Sequence, residues 1–547
     1  MRAADLIARS LEKHGVARAY CVPGESYLSL LDALHGCPVQ TIVCRHESGA
    51  GFMAVAEAKM TGRPGVVMVS RGPGATNVSI AVHVAEQDAV PLIVLIGQVS
   101  RAERGRGAFQ EVDYGQFFGA MAKGVFEVMD GAKMAETCAR AFRLAAEGKP
   151  GPVIISLPED MLDDEAGETV PEPFPISRPH HGAADVQAVR AAIAKAERPI
   201  VVAGAMLRGR RGAAALARFA EAQRIPVAVT WKNQDVFDNG SPLYAGHLGF
   251  GNPPRHREAL ARADLIIAAG TRLGDVASLN YSFPAAPQPA QTLVHIYPDG
   301  EPIGKVFRTD LGIVADPAAL LEELGQTPRV ASSAGETWIS SINSFIREFQ
   351  AFTSPEPGDG VDFGKVVMAV AAQAPRDAIV TTDAGNMSTW VHRHWKMTPA
   401  NLLLGAIAGA MGFGVPSGVA AGLADPGRMA IVFVGDGGIL MTGQELATAV
   451  QYGAKTKIVL SDNGIYGTIR THQERHYPAR VSGTDLVNPD FSAWARSFGA
   501  QAVTIGPGDD IDAKVAEGLG HDGPSVIHVK SSREALSAFS TLSGLRK

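Results

Sequence analysis

Cysteine is scarce in this chain of 547 residues: Cys21, Cys37, Cys44 and Cys138 form no CxxC pair and show no metal-ligand spacing. That excludes a disulfide framework and a thiolate metal centre. Buried, reduced thiols are expected, since two of the four sit in apolar, strand-like runs. Charge is sparse too. At 19% charged residues and a net charge of −6, the chain offers no electrostatic basis for binding nucleic acid or an anionic membrane. The opening segment MRAADLIARSLEKHGV mixes acidic and basic residues in an amphipathic helical pattern, unlike a secretory signal, so a cytoplasmic location is expected. One uncharged run, Leu402 to Leu423, is long enough by count to span a membrane. It holds six glycines and Pro416, so the expectation is a buried helix after a glycine-rich loop, with no membrane role.

What is present is an alternation of strands and helices. The length is too great for one core and suggests about three domains. Within residues 1–165, AYCVPG, TIVCRHE, GVVMVSRGPG, LIVLIGQV and PVIISLPED read as strands ending in turn chemistry, with helical patterns between them. An acidic, proline-rich segment (EAGETVPEPFPISRP) reads as a linker to a second unit at 183–330, whose strands are RPIVVAGAML, IPVAVTW, ADLIIAAGTRL and TLVHIYPDG. A second linker, AFTSPEPGDG, leads to a third unit at 360–547. The fold class is therefore α/β, with three consecutive doubly wound parallel sheets.

The stretch Met429 to Gln473 carries the chemistry. Ile431–Val434 is an apolar run that stops at Gly435-Asp436-Gly437-Gly438; Gln444–Gln451 follows a helical period; Lys457–Leu460 is a second run ending at Asp462-Asn463-Gly464. A βαβ unit sets the carboxyl ends of its two strands side by side, where open α/β sheets bind ligands. Asp436 and Asn463 lie at those ends, 463 − 436 = 27 positions apart, so a carboxylate and an amide oxygen can converge. Such an incomplete set of hard oxygen ligands suits Mg²⁺, and the glycines let the backbone approach a diphosphate. For GDG alone, a tight strand–helix turn is the plain alternative.

GDG followed after this interval by DN resembles the signature of thiamine-diphosphate (ThDP) enzymes. The neighbouring GQELATAVQYG and NGIYGTIRTHQ, with RHESGAGFMAVAEAKMTGRPGV, RGPGATN, DAVPLIVLIGQV and AFQEVDY upstream, resemble the branch of acetolactate synthase large subunits, pyruvate oxidases and decarboxylases. The resemblance implies pyrimidine-binding, central Rossmann-like and diphosphate-binding domains in that order. It implies that Asp436, Asn463 and the Ile465 carbonyl ligate Mg²⁺. Glu47 would hydrogen-bond N1′ of the aminopyrimidine, favouring the imino tautomer whose exocyclic nitrogen deprotonates the thiazolium. From local sequence alone, Glu47 reads first as a charge at a helix N-terminus, and it is the resemblance that reverses this. Gln110 matches a position near the reacting carbon. Further cofactor contacts are implied at Pro23, Gly24, Gly385, Asn386, Met387, Gly409, Met411, Gly435, Gly437, Gly438, Tyr466 and Gly467. Met411 would hold ThDP bent. Lys123, His472 and Gln473 match positions near substrate; Arg101, Arg104 and Arg106 read as a solvated loop, with an anionic substrate tail as the alternative.

The family's middle domain holds FAD in several members. Here the segments Arg272-Leu273-Gly274-Asp275-Val276 and His295-Ile296-Tyr297-Pro298-Asp299 depart from the family pattern. A sheet kept for packing without flavin is expected, and FAD is the less favoured alternative. The resemblance also implies a homodimer or homotetramer, with Glu47 and Asp436 of one site drawn from different chains. The activity implied is decarboxylation of a 2-oxo acid followed by carboligation to a second carbonyl. Simple decarboxylation, aldehyde lysis, flavin-linked oxidation and non-catalytic cofactor binding are its rivals.

Overall fold

A computed structural model describes residues 1–546. Three six-stranded sheets follow one another along the chain, and every pairing within them is parallel. The first contains β1 (Arg18–Cys21), β2 (Gln40–Val43), β3 (Gly65–Val69), β4 (Leu92–Gln98), β5 (Gly124–Glu127) and β6 (Pro152–Pro158). The second contains β7 (Pro199–Ala203), β8 (Val227–Thr230), β9 (Tyr244–Leu248), β10 (Leu265–Ala269), β11 (Thr292–Tyr297) and β12 (Leu311–Val314). The third contains β13 (Ile379–Thr382), β14 (Leu402–Leu404), β15 (Ala430–Gly435), β16 (Thr456–Asp462), β17 (Gln501–Ile505) and β18 (Ser525–Lys530). Most of these are uninterrupted apolar runs such as Leu92-Ile-Val-Leu-Ile, buried on both faces, as parallel sheets covered by helices require.

The strand order of the first sheet is β2-β1-β3-β4-β6-β5 and that of the third is β14-β13-β15-β16-β18-β17. Renumbered within each unit, the two orders are the same. The middle sheet, β12-β11-β10-β7-β8-β9, has the dinucleotide-fold order instead. In the outer units, order reverses between β1 and β3 and between β13 and β15, which places a ligand crevice at the carboxyl ends of those strands.

The outer units share one hydrophobic core. Helix Glu47–Thr61 packs on helix Gly414–Ala424, and Phe52 meets Phe413 edge to face at 5.5 Å between ring centres. The uncharged run from Leu402 thus resolves into β14, a glycine-rich loop and a buried helix; no helix among the described residues is long and apolar enough to cross a membrane. Helix Ser333–Gln350 buries Trp338, Ile339, Ile342, Phe345 and Ile346 against the middle sheet, carrying that core past residue 330. All four cysteines are free, and burial pushes the Cys21 and Cys138 thiols up to about 12.

Candidate active site

A cleft of about 270 Å³ opens at the carboxyl ends of β13, β15 and β16. The cofactor positions expected in the third unit line it: Gly385, Asn386 and Met387 after β13; Gly409 and Met411 from the loop after β14; Gly435–Gly438 at the end of β15; and Asn463, Ile465, Tyr466 and Gly467 after β16. Trp390, Ile465, Ile469 and Leu536 give the walls an apolar character. Gly437 is held so close to the Tyr466 ring that no side chain fits there.

Asp436 opens a helical turn directly, Asp436–Thr442, rather than sitting in a longer loop. Its Oδ1 accepts from the Gly437 amide at 2.9 Å, and its Oδ2 accepts from the Gly464 amide at 2.7 Å and from Asn488 Nδ2 at 2.8 Å. Burial raises its pKa, while Asn488 and the two amides pull the other way. Asn463 Oδ1 accepts from the Ile465 amide at 3.2 Å, so both side-chain oxygens belong to one tight loop. Asn488 also donates to Asp462 at 2.8 Å. Burial works against the Asp462 charge, but hydrogen bonds from His528, Lys530 and Asn488 hold its carboxyl down at about 2. Asp462 is thereby a fixed anion just outside the cleft. One carboxylate, one amide oxygen and one backbone carbonyl, with no thiolate or imidazole, fit a hard cation that keeps positions for phosphate and water. No group of three or more His, Cys, Asp or Glu side chains able to hold a metal occurs among the described residues.

Asn386 spans from this wall to the next helix. Its Nδ2 donates to Thr471 Oγ1 at 3.1 Å and its Oδ1 accepts from Thr468 Oγ1 at 3.0 Å. Met411 stands between Gly409 and Gly412, whose φ values of +71° and +84° shape a turn that only glycine adopts without strain.

The first unit supplies a second half-site. Glu47 begins its helix, its Oε2 accepts from Asn77 Nδ2 at 2.9 Å, and its Oε1 faces Gly74. Pro23 and Gly24 follow β1, and Gly24 packs against Ser70 after β3. Gln110 takes a left-handed backbone (φ +65°), and its carbonyl accepts from the Gly72 amide at 3.0 Å. None of these residues lines the Asp436 cleft of the same chain.

Two residues not singled out from the sequence set this geometry. Glu445, fully buried, reaches from the third unit to accept from the Arg45 amide at 3.0 Å and the His46 amide at 3.0 Å, which fixes the turn before Glu47. Its signal lay within the GQELATAVQYG segment. Asn488 has no motif around it, and only folding brings it to Asp436.

Three expected substrate positions lie elsewhere. Lys123 precedes edge strand β5, at the end of the sheet opposite the ligand crevice. Its Nζ donates to the carbonyls of Glu147 and Lys149, at 2.8 Å to the latter, closing off a helix end. Gln473 spends its amide on the backbone of Ser482. His472 is exposed and stacked on His476, outside the cleft lining. Arg101 pairs with Asp160 and Asp164, and Arg104 with Glu111 and Glu127, so two of the three loop arginines are neutralised locally.

The comparisons with known proteins agree with this layout. The chain matches the family models for the thiamine pyrophosphate enzyme N-terminal TPP binding domain at residues 1–117, the central domain at 186–324 and the C-terminal TPP binding domain at 383–529. It is 33% identical over 535 residues to the acetolactate synthase large subunit of Parasynechococcus marenigrum, covering 95% of this chain and 86% of that one. It is 32% identical to the isozyme 2 large subunit of Escherichia coli, covering 97% and 95%. A probable acetolactate synthase large subunit of Methanocaldococcus jannaschii is also 32% identical, with 97% and 92% covered.

Proposed function

The chain belongs to the thiamine pyrophosphate enzyme family, and we propose that it decarboxylates a 2-oxo acid and joins the retained carbons to a second carbonyl. The observation that carries this reading is the buried Asp436 beside Asn463 and Ile465, in a cleft whose facing wall bears Met411. ThDP, when bound, would supply an electron sink for decarboxylation. The residues of this chain do the rest. Asp436, Asn463 and the Ile465 carbonyl would hold Mg²⁺. Met411, Ile465 and Leu536 exclude water from the reacting carbon. Glu47, kept in place by Asn77 and by the turn that Glu445 fixes, would share a proton with the pyrimidine ring nitrogen.

Since Glu47 and Asp436 occupy separate half-sites, the working enzyme is at least a dimer with each site shared between two chains. A panel of 2-oxo acids, assayed with ThDP and Mg²⁺ for CO₂ release and product identity, tests the reaction. The expected product from pyruvate is a branched 2-hydroxy-3-oxo acid, with one CO₂ released for two pyruvates consumed. Accumulation of free aldehyde alone would replace carboligation with simple decarboxylation.

The central unit departs from the family pattern at both flavin segments: one N–H of the Arg272 guanidinium donates to the Gln87 carbonyl of the first unit, and His295 is buried against the Thr271 carbonyl at 2.8 Å. The purified protein is therefore expected to lack stoichiometric FAD. Absorbance near 450 nm at a one-to-one ratio with chain would overturn that expectation.

A further inference from the structure

Besides the shared apolar core, a buried ion pair joins the outer units. Helix Arg71–Gln87 ends at Asp88, whose amide still bonds the Val84 carbonyl at 2.8 Å, and the chain turns away at Ala89 with φ +53°. A carboxylate is the wrong charge for a helix C-terminus, so the helix itself does not account for Asp88. Lys59, in the last turn of helix Glu47–Thr61, donates to Asp88 Oδ2. The lysine and aspartate side chains are 5% and 0% exposed, so either charge would be costly there without the other.

The rest of the pair's bonding goes to the third unit. The Lys59 ammonium donates to the Gly405 carbonyl at 2.6 Å, Asp88 Oδ2 accepts from the Ile407 amide at 3.0 Å, and Oδ1 accepts from the Ala408 amide at 3.1 Å. These charge-assisted bonds hold the backbone directly ahead of the Gly409–Gly412 turn, which carries Met411 into the cleft. The far end of that turn is held separately, by the Gly412 amide bonded to Asp383 Oδ1 at 2.9 Å. Lys232 and Arg208 also border the cavity beside the pair, but their polar contacts lie elsewhere. Lys232 donates to the Thr382 carbonyl at 3.4 Å, and Arg208 to the Lys232 carbonyl at 3.0 Å. Lys59 is the one ion-pair partner of Asp88 among the described residues.

We propose that Lys59 and Asp88 are positioning residues for the cofactor cleft: the pair anchors residues 405–408 and so sets where the following turn presents Met411. The first unit then serves the reaction twice, through Glu47 at the start of one helix and through Lys59 in the last turn of the same helix. The inference rests on the cleft being the ThDP site, but its first test needs no cofactor.

That test is amide hydrogen exchange in the apoprotein over peptides covering residues 409–414, where the Gly409 and Gly412 amides bond Ala406 and Asp383 rather than the pair. Asp88→Asn removes the charge and one acceptor; Lys59→Met removes the donor at nearly constant length. Each should raise exchange over 409–414 about tenfold by freeing the turn, and leave peptides of β15 within about twofold of wild type. Each should also weaken the dissociation constant of ThDP with Mg²⁺ about tenfold. Lys59→Arg keeps the charge and has the adjoining cavity to fit into, so it should stay within about threefold of wild type on both counts. A loss of general stability alone predicts that β15 loosens in step with the turn. Unchanged exchange over 409–414, an equal rise over β15, or a Lys59→Arg chain as impaired as Lys59→Met overturns the proposal. Should both single variants fail to fold, Lys59→Met/Asp88→Asn decides, since it leaves no lone buried charge. Folded with raised exchange over 409–414, it supports the proposal; folded with wild-type exchange, or not folded, it refutes it. If wild type binds no ThDP, the cofactor reading fails while the exchange result still stands.

Discussion

Replacing Glu47 by glutamine should lower turnover by about 10²- to 10⁴-fold, the usual span for losing a positioned proton-transfer group. ThDP affinity should stay within about threefold, since a single partly exposed hydrogen-bonding group contributes little net binding. Glutamine has nearly the same shape, and its oxygen can still accept from Asn77 Nδ2. The Glu445 bonds to the Arg45 and His46 amides do not involve the Glu47 side chain, so the junction itself should survive. Only the ability to share a proton with a ring nitrogen is lost. Exchange of the C2 proton of bound ThDP in deuterated water, quenched with acid and read by NMR, isolates that step. Wild-type exchange in Glu47→Gln would remove the glutamate from the mechanism.

The second large effect is at Asp436. Its carboxylate already accepts from Gly437, Gly464 and Asn488, so Asp436→Ala leaves three donors unpaired and should cost the apoprotein about 1–3 kcal/mol per buried group. Asp436→Asn is the cleaner variant. It keeps two acceptor lone-pair sites and nearly the same volume while removing the charge that a divalent ion requires. In wild type, ThDP with Mg²⁺ should stabilise the fold by about 2.7 kcal/mol at 100 times its dissociation constant. In both variants that thermal shift should vanish, whereas Asn463→Ala should only shrink it, because water can replace a neutral oxygen on Mg²⁺. A full shift in Asp436→Asn would mean that the GDGG segment is a turn and nothing more. Mixing inactive Glu47→Gln and Asp436→Ala chains adds a test of assembly. Random dimers with shared sites regain about a quarter of wild-type activity, since half are mixed and each of those has one intact site. Sites built within one chain regain none.

How far the sequence carried the reading depends on what kind of contact each residue makes. Asp436 and Asn463 were legible because a βαβ unit converts sequence spacing directly into proximity. Strands such as β3 and β4 were legible because burial on both faces leaves an unbroken apolar run. Edge strands β5 and β12 were not, since their partly exposed residues lack that signature. Helix Ser333–Gln350 does carry a helical period in Trp338, Ile342 and Phe345, though it lies beyond the bound of 330 expected for the central unit. Lys123 illustrates the opposite error. A lysine at a family position says nothing about which end of the sheet it occupies, and here it ties carbonyls at the far end. Glu445 and Asn488 act across hundreds or tens of residues of chain, through approaches that no local spacing encodes.

The core shared by the outer units also has a consequence in time. Helix Glu47–Thr61 finds its apolar partner in helix Gly414–Ala424, which is made 414 − 61 = 353 residues later. At about 5–20 residues per second, a ribosome takes roughly 20–70 s to supply it. Throughout that interval the nascent first unit lacks the third unit's share of this core, including Phe413 opposite Phe52, while the central unit, whose core is its own, can already close. Synthesis, rather than the finished fold, is therefore the stage at which this arrangement leaves apolar surface uncovered.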